Sequence, residues 1–69
     1  MTVITMQFAY RIDLWDADGN SVVKHLAEIE DLIVARATYD AACKHWPGEC
    51  ITLRQGTRII ENSRKARVT

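Results

Sequence analysis

The sequence predicts a two-layer α+β domain in the order β-β-α-β-β, a four-stranded antiparallel sheet with one helix on one face. Three observations carry this. Residues 31–46, DLIVARATYDAACKHW, have the apolar spacing of a helix laid on a sheet. The runs before them alternate in polarity around an Asp18-Gly19 turn. The runs after them flank Gln55-Gly56, where glycine permits positive φ.

In chain order, residues 1–5 read as a frayed lead-in, with Val3 and Ile4 able to extend the first strand. From Phe8, strict alternation sets Phe8, Tyr10, Ile12 and Leu14 on one face and Gln7, Ala9, Arg11 and Asp13 on the other. The second strand, Val22 to Ile29, has a weaker pattern. Val23, Ala27 and Ile29 are expected on one face, and Val22, Lys24, Leu26 and Glu28 on the other, as suits an edge strand. A helix beginning near Ser21 is the competing reading of this run. The Asp-Gly turn and the matched lengths of the two runs favour the hairpin.

Asp31 is the expected helix N-cap, because its carboxylate can accept from orphan N–H groups of the first turn. At 100° per residue, Leu32, Ala35, Tyr39, Ala42, Cys43 and Trp46 share one stripe, with Val34 and Thr38 at its margin. Arg36, Asp40 and Lys44 fall on the opposite side, as neighbours of alternating charge. Pro47 ends the helix. Strands are expected next at Cys50 to Arg54 and Thr57 to Glu61. Their register depends on the loop: a two-residue loop pairs Ile51 with Ile60, and a three-residue loop with a bulge pairs Leu53 with Ile59. The first strand is the longest and most cleanly patterned, so it is placed centrally. The crossover rule then gives the spatial order 2-1-3-4. One domain is expected over residues 1–62, with a disordered basic tail over 63–69.

With YRIDLWDADGN, the helix and ITLRQGTRII in view, the chain resembles a group of small uncharacterised bacterial proteins. The shared features are the strand opening on Tyr10, the Asp16-x-Asp18-Gly19 turn, the alanine-rich helix and the Leu53-x-x-Gly56-x-x-Ile59 hairpin. The resemblance spans Phe8 to Glu61. It implies the same hairpin, helix, hairpin layout and carries no catalytic residue, cofactor or activity with it.

Sixty-nine residues allow one small core. A formal net charge of zero argues for neither nucleic acid nor a membrane surface. The charge is uneven, however: residues 1–30 hold two basic and five acidic side chains, and residues 31–69 hold seven and four. No apolar run reaches the roughly 20 residues of a membrane-spanning helix, and no leader pattern precedes the first strand. A cytoplasmic protein is expected, with Cys43 and Cys50 as reduced thiols rather than a disulfide.

Residue constellations argue against an enzyme. Asp16, Asp18 and Asn20 alternate like calcium ligands, yet Gly19 comes fourth from Asp16 and position twelve is Ala27, so a hairpin turn is the better reading. Cys43, His45 and Cys50, with His25, lack a zinc-site spacing, and Cys43 and His45 project about 200° apart on a helix. No phosphate loop, nucleophile elbow or zinc-protease motif occurs. Neither a cofactor nor a small-molecule substrate is expected.

Two interaction surfaces compete. Arg54, Arg58, Arg64, Lys65 and Arg67 could grip phosphates, which would make the chain a weak nucleic-acid binder. The preferred reading is a protein-protein interaction module, binding a partner or a second copy through the sheet face the helix leaves open. The adjacent Ile59 and Ile60 cannot both be hidden by a regular strand. The expected contact set is therefore Arg11, Trp15, Arg54 and Ile59, with tryptophan and arginine the types that anchor interfaces.

Overall fold

A computed structural model describes residues 9–64. The elements are β1 (Tyr10–Trp15), β2 (Val22–Ile29), α1 (Leu32–His45), β3 (Cys50–Gln55) and β4 (Arg58–Asn62). They form one antiparallel sheet in the order β2-β1-β3-β4, as the sequence predicts. β2 and β3 both run antiparallel to β1, and α1 carries the chain between them across the sheet. Residues 1–8, which include the expected strand start at Phe8, lie outside the described residues.

Alternation places Ile12 and Leu14 of β1 and Ile51 and Leu53 of β3 on the helix side, where all four are buried. Ala35 and Ala42 close the core from above, and their small side chains let the helix lie close on the sheet. Tyr39, Cys43, Trp46 and Leu32 complete the stripe as partly buried residues, of which the first three pack against the core cluster. Burial and the hydrogen bond with Cys43 push the Tyr39 phenol above its ordinary range, so it stays neutral. Cys43 and Cys50 are free thiols.

The caps agree with the sequence reading. Asp31 Oδ1 accepts from Ile33 N at 2.8 Å and Val34 N at 3.1 Å. Trp46 N donates to Ala42 O, and Pro47-Gly48 then makes a tight turn closed by Glu49 N on Trp46 O. Gly48 stands there at φ 85°, the left-handed value a type II turn requires after proline and few side chains tolerate. The last hairpin departs from the expected registers. Gln55 pairs with Arg58, so the loop is Gly56-Thr57 rather than one centred on Gln55-Gly56, and neither Ile51 with Ile60 nor Leu53 with Ile59 is a pair. Gly56 has φ 61° and Thr57 a negative φ, the signature of a type II′ turn.

Three further expectations need correction. First, β2 does not alternate. Ile12 pairs with Ala27 but Asp13 with His25, so Leu26 is an extra residue in a bulge, and Val23 is extra in a second. Leu26 thereby joins Ala27 and Ile29 against the core, and His25 turns to the open face. Second, Arg36 does not simply face water; its Nη1 donates to Glu61 Oε2 at 2.6 Å and ties the helix to β4. Third, the tail expected from Ser63 begins with two anchored residues. Ser63 N donates to Ile51 O, Ser63 Oγ accepts from Ile51 N at 2.8 Å and donates to Glu49 O at 2.9 Å. Arg64 Nη1 donates to Ala17 O at 3.1 Å. Residues 65–69 lie outside the described residues.

Candidate functional site

Strand register assembles the open face in rows. The first row runs Glu28, Arg11, Arg54, Ile59 across β2, β1, β3 and β4. The second runs His25, Asp13, Thr52, Asn62. The third sets Trp15 between Val22 and Cys50. The four residues expected to form a contact set, Arg11, Trp15, Arg54 and Ile59, therefore share one face. A bulge in β4 resolves the paired isoleucines. Arg54 pairs with Ile59 but Leu53 with Glu61, so Ile60 is the extra residue and packs toward the core. Ile59 is left 55% exposed.

The centre of this face is a charge cluster built on Asp13, whose side chain is wholly buried. Its Oδ1 lies 2.8 Å from His25 Nδ1, and its Oδ2 accepts from Arg54 Nη2 at 3.0 Å. Arg11 Nε lies 3.5 Å from the same Oδ2. Burial pushes the Asp13 carboxyl up, but the bonds from His25 and Arg54 and the nearby charge of Arg11 outweigh it and hold its pKa below the ordinary 3.8. Asp13 is thus an acceptor only, so the 2.8 Å contact requires the hydrogen to sit on His25 Nδ1. That nitrogen cannot also accept from Arg11 Nη2, which lies 3.3 Å away. On its far side His25 presents Nε2 to Glu28 Oε1 at 3.7 Å.

Trp15 flanks the cluster. Its Nε1 donates to Thr52 Oγ1 at 2.8 Å, and the Arg54 guanidinium lies 5.5 Å from the ring centroid, a cation–π distance. These contacts bury Thr52 and leave Trp15 half-buried. The sequence does not single out the carboxylate that holds the face together, and it raises the histidine only as a rejected zinc ligand. Asp13 is legible there only as a charge two places from Arg11 on the same face. His25 is hidden by the bulge at Leu26.

The basic residues expected as a phosphate grip are dispersed. Arg54 is tied to Asp13 on the open face, and Arg58 pairs with Gln55 and belongs to the helix side. Arg64 is bonded to Ala17 at the far end of β3, about five residues or roughly 16 Å from Arg58. Lys65 and Arg67 lie outside the described residues.

On the other side of the sheet, an apolar cleft of about 370 Å³ lies between β2 and the end of α1. Leu26, Thr38, Ala41, Ala42, His45 and Trp46 line it, so His45 is its sole titratable wall. In the hairpin turn the Asp16 carboxylate is used locally, with Oδ1 accepting from Asn20 N at 2.9 Å. Among the described residues no three His, Cys, Asp or Glu side chains converge as a metal site would. Among them, too, no helix is long and apolar enough to cross a membrane.

No family model matches the chain, and the comparisons with curated proteins and with solved structures return no significant match.

Proposed function

We propose that this chain is a non-enzymatic protein-protein interaction module that works through the open face of its sheet. Arg11, Trp15, Arg54 and Ile59 form the contact. The observation that carries the reading is their co-location: two arginines, a tryptophan and a 55%-exposed isoleucine lie on neighbouring strands of one uncovered face. Trp15 is already pinned by Thr52 and Arg54, so it would lose little side-chain freedom on binding. A reducing cytoplasmic setting fits the two free thiols.

Site-specific photo-crosslinking tests it. A crosslinker placed at position 59 should capture a discrete protein, or a second copy of the chain, and Trp15→Ser should abolish the adduct. The control is position 33, on the helix, which is even more exposed at 79%. Equal adducts from both positions would remove the reading. Light scattering at about 100 μM separates self-association from a hetero-partner.

A further inference from the structure

We infer that the open face is built to receive a carboxylate from an acidic segment of a different protein, held between Arg11 and Arg54. The inference rests on the proposed interaction face and names the chemistry of its partner.

The argument begins with hydrogen-bond supply and demand. Among the described residues, Asp13 is the one carboxylate within ion-pair distance of either guanidinium, so two cations share one buried anion. Arg54 uses Nη2 on Asp13, while its buried Nε has no partner. Arg11 is worse served. Its Nε is buried and unbonded, its reach to Asp13 is 3.5 Å, and its Nη2 faces a nitrogen of His25 that already carries a hydrogen. Those Nε atoms are sealed from solvent. An incoming acid therefore meets the accessible remainder of the two side chains, 40% and 23% exposed, where a carboxylate can fork onto a guanidinium. The two arginines are direct neighbours across β1 and β3, so one incoming carboxylate can reach both. Ile59 beside Arg54 supplies an apolar rim for the residue next to the acid.

Two other occupants fit less well. In a face-to-face dimer, a two-fold axis through the cluster and along the strands sets Arg11 over Arg54 of the other copy. An axis across the strands sets each arginine over itself. Either way, guanidinium meets guanidinium. An axis along β1 sets Arg54 over Glu28 but Arg11 over itself, and one between β1 and β2 sets Arg11 over Glu28 but carries Arg54 off the sheet. No such axis gives both arginines a carboxylate. A nucleic acid would need the tryptophan face for stacking, and Arg54 occupies it.

The experiment is an NMR titration of the full chain, following backbone amides and the arginine Nε–Hε signals. The probes are a short blocked peptide of glycine, glutamate and leucine, its glutamine counterpart, and a single-stranded oligonucleotide. The glutamate peptide should move the Arg11 and Arg54 Nε–Hε signals and the Ile59 amide, and the glutamine peptide should leave them in place. Arg54→Lys should weaken binding roughly ten- to hundredfold, because an ammonium keeps the charge and loses the fork. Arg11→Lys, at the more exposed of the two sites, keeps the comparison readable if Arg54→Lys disturbs the sheet. Equal binding of both peptides, preference for the oligonucleotide, or equal shifts at Arg58 and Arg64 would each overturn the inference. A crosslink from position 59 alongside such a failure would leave the interaction face standing and its acidic partner refuted.

Discussion

At the scale of single residues, Asp13 is the position on which the open face depends. It is a buried carboxylate whose cover is only the layer of side chains it binds. Its folded pKa lies below the ordinary 3.8, so its contribution to stability is complete above about pH 4 and is lost as acid protonates the folded carboxylate. Asp13→Asn should destabilise the domain by about 1–3 kcal/mol at neutral pH. That is less than the roughly 3–5 kcal/mol of a deeply buried broken pair, because the arginines keep part of their water. Urea unfolding at pH 7 and pH 3 checks both points. The two proteins should differ clearly at pH 7, and the gap should narrow at pH 3, below the unfolded pKa, as acid titrates the folded carboxylate. A gap of equal size at both values would mean that charge on Asp13 is not the cause.

At the scale of elements, the strand and helix positions were legible because each depends on a local period, and α1 even ends at the residues its caps name. The irregularities were not. Alternation assumes one residue per place in the pleat, so the bulges at Leu26 and Ile60 are invisible to it. In both, the extra residue is apolar and packs against the core, so burial of that side chain outweighs a regular ladder. The Ser63 clasp escapes a sequence reading for a different reason. Its partners are backbone atoms of Glu49 and Ile51, which no side-chain pattern reveals. Ser63→Ala removes both side-chain bonds and should cost about 1–2 kcal/mol, a drop in Tm of roughly 4–8 °C per kcal/mol for a domain of this size. A thermal melt within a degree of the unsubstituted chain would show the clasp to be idle. The charged contact between Arg36 and Glu61, half-exposed on the arginine side, is worth much less.

At the scale of the whole molecule, the core is small. Ile12, Ile51 and Leu53 are its largest fully buried apolar side chains, and Ala35 and Ala42 are the helix's only buried residues. A chain of 69 residues carries only about 3–10 kcal/mol of net stability. Ile51→Ala should remove about 2–5 kcal/mol of that, enough to leave a substantial unfolded fraction at 37 °C. Circular dichroism melts would register it as a broad, early transition or none. A sharp transition within a few degrees of the native one would mean that the sheet collapses around the cavity more completely than close packing allows.

The two tryptophans stand on opposite sides of this sheet. Trp15 lies under a guanidinium on the open side, while Trp46 meets the ring of His45 edge-on, 4.4 Å away, beside the cleft. Each indole is therefore a separate lamp, and substituting one with phenylalanine leaves the other lighting its own side alone. Any ligand that draws Arg54 off Trp15 must change the emission of the first lamp, and anything entering the cleft must change the second.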